Sequence, residues 1–158
     1  MQYFVFAISI SVISWIVGII VNTLIKNKPW YEDLSYIELV KSKRVNKWIG
    51  IDAIKWIVRN TPFKYFNPGL KIQGKSTDLV ALRREMTYAD IGHLVGFVFV
   101  TFFAVIKAIN GSLLFGVIIM MVNVLMNLYP SLLQQQNKKR IDRFIKRNNR
   151  GENPVETE

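Results

Sequence analysis

The chain has 158 residues, of which 21 are Lys or Arg, 11 are Asp or Glu and 51% are hydrophobic, and its net charge is +10. The absence of Cys excludes a disulfide scaffold, a thiol nucleophile and a Cys-ligated metal, and a single His excludes a multi-histidine metal site within one chain. High hydrophobicity together with net positive charge favours a chain whose apolar residues are gathered into membrane-spanning blocks, with its charges in the aqueous connections.

The first apolar block covers residues 4–25 and carries no charge. As a helix it would be about 33 Å long, which is enough to cross a hydrocarbon core of about 30 Å. Its flank Met1-Gln2-Tyr3 lacks the basic residues of a signal peptide, and the block leads directly into Lys26 without a cleavage motif. We therefore expect a retained transmembrane helix.

Two further apolar blocks predict transmembrane helices at about 88–109 and 113–129, the second closed by Tyr129-Pro130. Only Asn110-Gly111-Ser112 separates them, and so short a connection predicts a tight antiparallel hairpin. The predicted fold class is an all-α integral membrane protein with three transmembrane helices. The alternative is a soluble helical protein with buried hydrophobic helices.

The distribution of charge predicts the orientation in the membrane. Between Lys26 and Asp90 the chain has 13 Lys and Arg residues, and seven more follow between Lys138 and Arg150. By the positive-inside rule, the middle segment and the C-terminal tail are cytoplasmic and the N-terminus is outside, in a multi-pass protein of the cell membrane.

The middle segment, residues 30–78, is rich in aromatic residues, and from Trp48 its apolar and charged residues alternate with helical spacing. This pattern predicts interfacial amphipathic helices on the cytoplasmic leaflet. Residues 131–148 predict a basic tail helix along the membrane surface. We expect residues 1–150 to form a single membrane domain and 151–158 to be a disordered acidic tail.

Asp90 and His93 are the most informative polar residues, because a spacing of three places them on one face of the second membrane helix. A carboxylate beside an imidazole raises the basicity of the ring and stabilises the imidazolium. Such a pair is suited to activating a hydroxyl for attack on an acyl ester or thioester. The alternative is a structural histidine that contacts a neighbouring helix or a lipid headgroup.

Several further side chains are candidates for binding a substrate. Arg83, Arg84 and Glu85 precede the Asp90–His93 pair on the same predicted helix, and the guanidinium groups of the two arginines suit a phosphate or a developing oxyanion. One His and two carboxylates on a single helix do not supply a metal site, so none is predicted. The basic residues flank membrane helices and belong to no recognition motif, so nucleic-acid binding is not predicted.

The third membrane helix and the tail carry a second set of polar residues. Asn123 and Asn127 are four apart and should point into the bundle. Gln134, Asn137, Lys138 and Arg140 follow in the basic tail, where they would suit a phosphate of coenzyme A or of a lipid. The alternative for the tail is a stop-transfer charge cluster that only fixes topology.

Two stretches resemble the glycosyl-4,4'-diaponeurosporenoate acyltransferase family of staphyloxanthin-type carotenoid synthesis. Met86–His93 resembles the family's acidic-x-x-His entrance to a membrane helix, with Asp90 where Glu is usual. Asn127–Arg140 resembles its Pro- and Gln-containing basic ending, with Gln135-Gln136 in place of Arg-Tyr. The resemblance implies Asp90 and His93 as the acid/base pair. It also implies site-lining or donor-binding roles for Asn127, Gln134, Asn137 and Arg140.

The first hypothesis for function is a membrane acyltransferase that moves a fatty acyl group to a hydroxyl of a lipid or glycosylated carotenoid-like acceptor. Acyl-CoA or another acyl thioester would be the donor substrate, with no bound cofactor. The second is a non-catalytic integral membrane subunit or scaffold that packs with a partner protein. Under either hypothesis the expected partners are membrane lipids, and a thin three-helix bundle is compatible with a homo-oligomer or a membrane partner.

Overall fold

The computed structural model describes residues 1–40, 42, 50, 56, 60 and 78–151, with side chains as far as residue 147. Within those residues the chain is helical and contains no strand. The helices are α1 (Gln2–Ile25), α2 (Tyr31–Ser35), α3 (Leu79–Asn110), α4 (Leu113–Asn123), a π-helical segment (Val124–Leu128) and α5 (Tyr129–Gly151). Most of the predicted interfacial segment 30–78 and residues 152–158 of the acidic tail lie outside the described residues.

Three helical stretches are long and apolar enough to cross a membrane: Gln2–Ile25, Leu79–Asn110 and Leu113–Arg147. Only 28% of the most apolar window of each is buried inside the protein. Large apolar side chains such as Ile16, Phe102 and Met121 therefore cover the outside of the bundle. An apolar exterior of this kind fits lipid, so the prediction of an all-helical membrane protein with three apolar helices is confirmed.

α3 begins at Leu79, ahead of the predicted membrane-spanning part at about 88–109, because Asp78 caps its first turn. The Asp78 carboxylate accepts hydrogen bonds from the backbone N–H groups of Val80 and Ala81, both at 2.9 Å. With 32 residues, α3 is longer than a hydrocarbon core of about 30 Å requires. Its N-terminal turns therefore extend beyond the apolar part of the bundle.

Small residues bring α1 and α3 into backbone contact. A Cβ added at Gly18 would overlap the carbonyl oxygen of Gly92, and one added at Gly96 would lie 3.1 Å from the Ser14 hydroxyl. Close approach of backbones at small residues is a common way for membrane helices to associate. These contacts run in opposite chain directions, so α1 and α3 are antiparallel.

α1 runs parallel to α4. The Tyr3 and Phe115 rings stack with their centroids 4.3 Å apart, and Ser14 contacts Asn127 further along. The end of α1, the start of α3 and the start of α5 therefore lie at the same end of the bundle. We call it the Lys26 end, after the residue that follows α1.

The predicted break at Tyr129-Pro130 is not observed, because α4, the π-helical segment and α5 follow each other without interruption. Pro130 has no N–H to donate to the carbonyl four residues earlier. That carbonyl, of Met126, accepts a hydrogen bond of 3.3 Å from the Trp15 indole N–H. A side chain of α1 thus satisfies the acceptor that proline leaves open.

α5 packs against the start of α3. Ile141 is fully buried in a cluster with Leu82 and Met86, and the Arg83 guanidinium pairs with Asp142 at 2.6 Å. The extra turns of α3 supply an apolar stripe that matches the stripe of α5. Burying both stripes together removes more apolar surface from water than leaving α5 alone.

Candidate active site

Polar side chains line the inner faces of the helices along the bundle. Less than a tenth of the surface of each is exposed. They are Ser11, Ser14 and Asn22 on α1; Thr87 and Asp90 on α3; Asn123 on α4; Asn127 in the π-helical segment; and Ser131, Gln134, Gln135 and Lys138 on α5. Buried polar groups are costly unless they are hydrogen-bonded, so the partners of each decide its role.

The deeper part of this polar column is a hydrogen-bonded chain. The Asn127 amide donates to the Ser14 hydroxyl at 3.1 Å and to the Asn123 side-chain oxygen at 2.9 Å. Asn123 in turn donates to the Phe97 carbonyl at 3.0 Å and to the Thr101 hydroxyl at 3.1 Å. The expectation that Asn123 and Asn127 point into the bundle toward the second long helix is confirmed, and their contacts join all three long helices.

Nearer the Lys26 end lies a buried ion pair between Asp90 and Lys138. The Lys138 ammonium is 2.7 Å from Asp90 Oδ2, and the side chains of Lys138 and Asp90 are 5% and 0% exposed. The same ammonium donates to the Ser35 carbonyl at 2.8 Å. Asp90 Oδ1 accepts from the Ser131 hydroxyl at 2.6 Å and from the Gln135 amide at 3.2 Å. Both carboxylate oxygens are thus occupied, as an ionised buried carboxylate requires.

The expected direct pairing of Asp90 with His93 is not among these contacts. Asp90 and Asn127 are polar neighbours of the His93 ring, but the buried Nδ1 has no hydrogen-bond partner in the protein. The reason is the competing cation, because the Lys138 ammonium holds the carboxylate more strongly than a neutral imidazole would. His93 therefore remains a partly buried ring with one nitrogen unengaged.

Sequence reasoning missed Lys138 as the partner of Asp90, because the basic tail was interpreted as a surface helix. A signal was present in the spacing: Ser131, Gln135 and Lys138 recur at four and then three residues, which places them on one helix face. A polar stripe on a helix that also carries apolar residues is typical of a face that packs against another polar group, and here that group is Asp90 of α3.

The other predicted site residues differ in their burial and in their contacts. Arg83 is held by Asp142 and lies over the Tyr36 ring, with 5.0 Å between guanidinium carbon and ring centroid. Arg84 and Glu85 lie on the exposed face of α3, away from the polar column. The exposed Arg140 lies over the Phe144 ring on α5, whereas Asn137 is partly buried.

Gln134, by contrast, is buried in the polar column, and its side-chain oxygen has no partner in the protein. In the described part of the chain, the Ser11 hydroxyl, the Asn22 side-chain oxygen and the Tyr31 hydroxyl are also buried without a hydrogen-bond partner. Burial raises the pKa of the Tyr31 hydroxyl, with Asn22 opposing and Tyr88 and Asp90 adding to the rise. The Tyr31 phenol is therefore neutral in the physiological range and able to donate a hydrogen bond.

No group of three or more His, Cys, Asp or Glu side chains suited to a metal ion occurs in the part of the chain that the structure describes. The neighbours of Asp90 are a lysine, a serine and a glutamine. An ammonium in direct contact with the carboxylate leaves no place for a cation.

Residues 26–147 match the family model of glycosyl-4,4'-diaponeurosporenoate acyltransferase. The chain belongs to this family. Membership in this acyltransferase family indicates an enzyme that transfers acyl groups, and the family name places such transfer in carotenoid biosynthesis. The matched region includes α3, α4 and all of α5 that has described side chains. No curated protein and no solved structure matches the chain.

Proposed function

We propose that the protein is a membrane-bound acyltransferase that moves a fatty acyl group to a hydroxyl of a glycosylated carotenoid-like or other lipid acceptor at the cytoplasmic leaflet. One observation carries the proposal. In a chain of an acyltransferase family, the one histidine is partly buried beside a buried ion pair, and its Nδ1 lacks a protein partner. An unengaged imidazole at this place is suited to accept a proton from a substrate.

In the proposed reaction, His93 accepts the proton of the acceptor hydroxyl as the oxygen attacks the acyl carbonyl. A new C–O bond forms, the C–S bond of the thioester breaks, and the imidazolium returns the proton to the leaving thiolate. Asp90 acts on the ring through its field rather than through a hydrogen bond, because its oxygens are held by Lys138 and its neighbours. We therefore propose Asp90 as a positioning residue and His93 as the base.

The acyl donor in this proposal is acyl-CoA or another acyl thioester. Arg84 and Arg140 are exposed, and both belong to the helices that extend from the Lys26 end of the bundle. Their guanidinium groups suit the phosphates of coenzyme A, to which Asn137 would add a polar contact. Arg83 and Glu85 are supporting positions, since the Asp142 carboxylate already holds the Arg83 side chain.

The proposed orientation places the Lys26 end at the cytoplasmic face of the cell membrane. Contacts between the helices bring the end of α1 and the start of α3 to one end of the bundle, which is the end that carries α5. Lys26, Lys28, Arg83, Arg84 and Lys138, which belong to the two Lys- and Arg-rich parts of the sequence, adjoin this end. Positive residues are retained on the cytoplasmic side of membranes.

The test of this function uses purified protein in nanodiscs with radiolabelled acyl-CoA and glycosyl-4,4'-diaponeurosporenoate. We expect His93→Ala and His93→Gln to lower the rate of acyl transfer by about 100-fold or more, because general-base catalysis contributes that much. Val98→Ala, on the lipid-facing side of α3, should keep the wild-type rate. Circular dichroism and size-exclusion profiles should be the same for all four proteins.

The second candidate function is a non-catalytic membrane subunit, favoured by the number of buried polar contacts that join the helices. It predicts no label in lipid from any of the four proteins. Equal transfer by the wild type and both His93 variants would show that the enzyme uses another base.

A further inference from the structure

The nitrogen on which the proposed function rests is closed off in this conformation. His93 Nδ1 is buried and has no hydrogen-bond partner in the protein. A general base has to come within about 2.6–3.2 Å of the group whose proton it takes. For His93 Nδ1 to act as the base, part of the structure therefore has to move before an acceptor hydroxyl can reach the ring.

The long helices are not the part that moves, because their contacts are close and continuous. A Cβ added at Gly18 of α1 would overlap the Gly92 carbonyl oxygen of α3, and one added at Gly116 of α4 would lie 2.6 Å from the Ala108 side chain of α3. Ile141 of α5 is fully buried in its cluster against α3. Interfaces packed in this way resist gradual separation.

Residues 31–40, which we call the strap, are packed more loosely. The strap consists of α2 and the five residues after it, and it runs between α1 and α5, which have hardly any direct contact with each other. Of its side chains, Tyr31 and Ser35 are buried, whereas Tyr36 and Leu39 are exposed. A short element with few buried apolar side chains opens at a lower free energy than the core of a protein.

Two side chains of α5 hold the strap, and the same two side chains hold Asp90. The Lys138 ammonium donates to the Ser35 carbonyl at 2.8 Å and to Asp90 Oδ2 at 2.7 Å. The Gln135 side-chain oxygen accepts from the Leu39 N–H at 3.0 Å, while its amide nitrogen donates to Asp90 Oδ1 at 3.2 Å. The main chain of the strap is thus fastened through α5 to the carboxylate beside the proposed base.

The remaining contacts between the strap and α5 are weak. The Glu38 carboxylate and the Lys139 ammonium are 2.9 Å apart, and more than a third of each side chain is exposed. Such a pair contributes little to stability. Val40 packs against a small apolar cluster that includes Leu132 and Leu133 of α5. Lifting the strap would break these contacts and two main-chain hydrogen bonds, while the buried ion pair would stay in place.

We propose that the strap is a gate over the Asp90–His93 site, which closes on α5 through Lys138 and Gln135 and opens to admit the substrates. This inference rests on the proposed role of His93 as the base. Opening would withdraw the buried Tyr31 side chain from its place near Asp90. Closure would keep water away from the acyl group, so that the acyl group passes to the acceptor hydroxyl rather than to water.

The first test locks the strap to α5 in a chain that has no Cys of its own. Glu38→Cys/Lys139→Cys places two thiols at the exposed ion pair, and a short bifunctional methanethiosulfonate joins them. In nanodiscs with radiolabelled acyl-CoA and glycosyl-4,4'-diaponeurosporenoate, we expect the cross-link to lower the rate of acyl transfer by about 10-fold or more, because the gate can no longer open. A thiol reductant, which cleaves the cross-link, should restore the rate.

Thr23→Cys/Tyr88→Cys is the matched control. The two wild-type hydroxyls are 2.7 Å apart and join α1 to α3, which stay together in the proposal. Cross-linking this variant should leave its rate of transfer unchanged, as should the same treatment of Glu38→Cys and of Lys139→Cys alone. Equal rates of transfer for the cross-linked and the reduced Glu38→Cys/Lys139→Cys protein would overturn the gate.

The second test measures access to the site without using activity. His93→Cys carries a single thiol, and the rate of its reaction with N-ethylmaleimide reports how often the site is open. Adding Glu38→Lys places a like charge opposite Lys139 and should raise this rate by about 2- to 5-fold, the effect expected from a weak ion pair. Adding Glu32→Lys instead, at an exposed position of α2, should leave the rate unchanged. Equal reaction rates for both charge variants would contradict the gate.

The gate and the enzyme fail in different ways. A wild type that transfers acyl groups, with the cross-linked Glu38→Cys/Lys139→Cys protein equally active, would retain the enzyme and reject the gate. A wild type that transfers no acyl group would reject the enzyme. The reaction rates of the His93→Cys proteins would then decide whether the strap opens, since they do not depend on transfer.

Discussion

Asp90→Asn and Lys138→Met are each expected to lower the free energy of unfolding by about 3–5 kcal/mol, because each leaves the opposite charge buried and unpaired. The wild-type ion pair is almost fully enclosed, with side-chain exposures of 0% and 5%. The Lys138 ammonium also donates a hydrogen bond to the Ser35 carbonyl, so the Lys138→Met substitution should free the end of α2 from α5. The Asp90→Asn/Lys138→Met double variant, which contains neither charge, should recover most of the loss.

The measurement is equilibrium unfolding of the purified protein in mixed micelles, followed by circular dichroism. Asp142→Asn is the matched control, because it breaks the Arg83–Asp142 pair, in which the side chains are 19% and 39% exposed. A partly exposed pair of this kind contributes less than a fully buried one, about 1 kcal/mol. Single variants of the buried pair that are no less stable than Asp142→Asn would contradict its structural role.

The second large effect is expected at the contact between α1 and α3. Gly18→Ala should lower the free energy of unfolding by about 2–3 kcal/mol, as overpacking of a close contact does. The added Cβ would overlap the Gly92 carbonyl oxygen, a backbone atom that no rotamer change can move aside. The two helices would have to separate along their length, which would also loosen the Ser14–Asn127 contact.

Gly92→Ala is a control within the same contact. A Cβ at Gly92 would have its nearest neighbour, the Asn22 amide nitrogen, at 3.9 Å, an ordinary van der Waals distance. We expect this variant to unfold within about 0.5 kcal/mol of the wild type, as substitutions away from strained features do. If both alanine variants are equally stable, the close approach of Gly18 to Gly92 does not hold the helices together.

The sequence was informative where a local pattern decides the structure. The uncharged block before Lys26 and the blocks around Asn110-Gly111-Ser112 are apolar over the length of a helix, and all three are helical. The continuation of the helix through Pro130 was not predictable in this way. It depends on Trp15, more than a hundred residues earlier, whose indole satisfies the open carbonyl of Met126.

The candidate site shows the same division between local and distant information. Spacing correctly predicted that Asn123 and Asn127 face the inside of the bundle, because four residues make about one turn. The spacing of Ser131, Gln135 and Lys138 indicates one polar face of α5. It does not indicate that this face meets Asp90, 48 residues before Lys138 in the chain, and takes the carboxylate away from His93. Which of two neighbours a carboxylate binds depends on the relative rotation of two helices, and no local pattern records that rotation.

That rotation depends on the short π-helical segment Val124–Leu128. Its wider turns accommodate an extra residue, and in an α-helix each residue advances the side-chain direction by about 100°. Removal of one residue together with the π-helical turn would leave the rotation of α5 nearly unchanged, whereas regular α-helix over the same residues would turn the whole of α5 by about that angle. Asp90 would then face a different side of α5, and the lysine would be directed away from it. Tolerance of insertions and deletions in this part of the chain therefore depends on rotation, because a one-residue change that the segment does not absorb would turn Lys138 by about 100° away from Asp90.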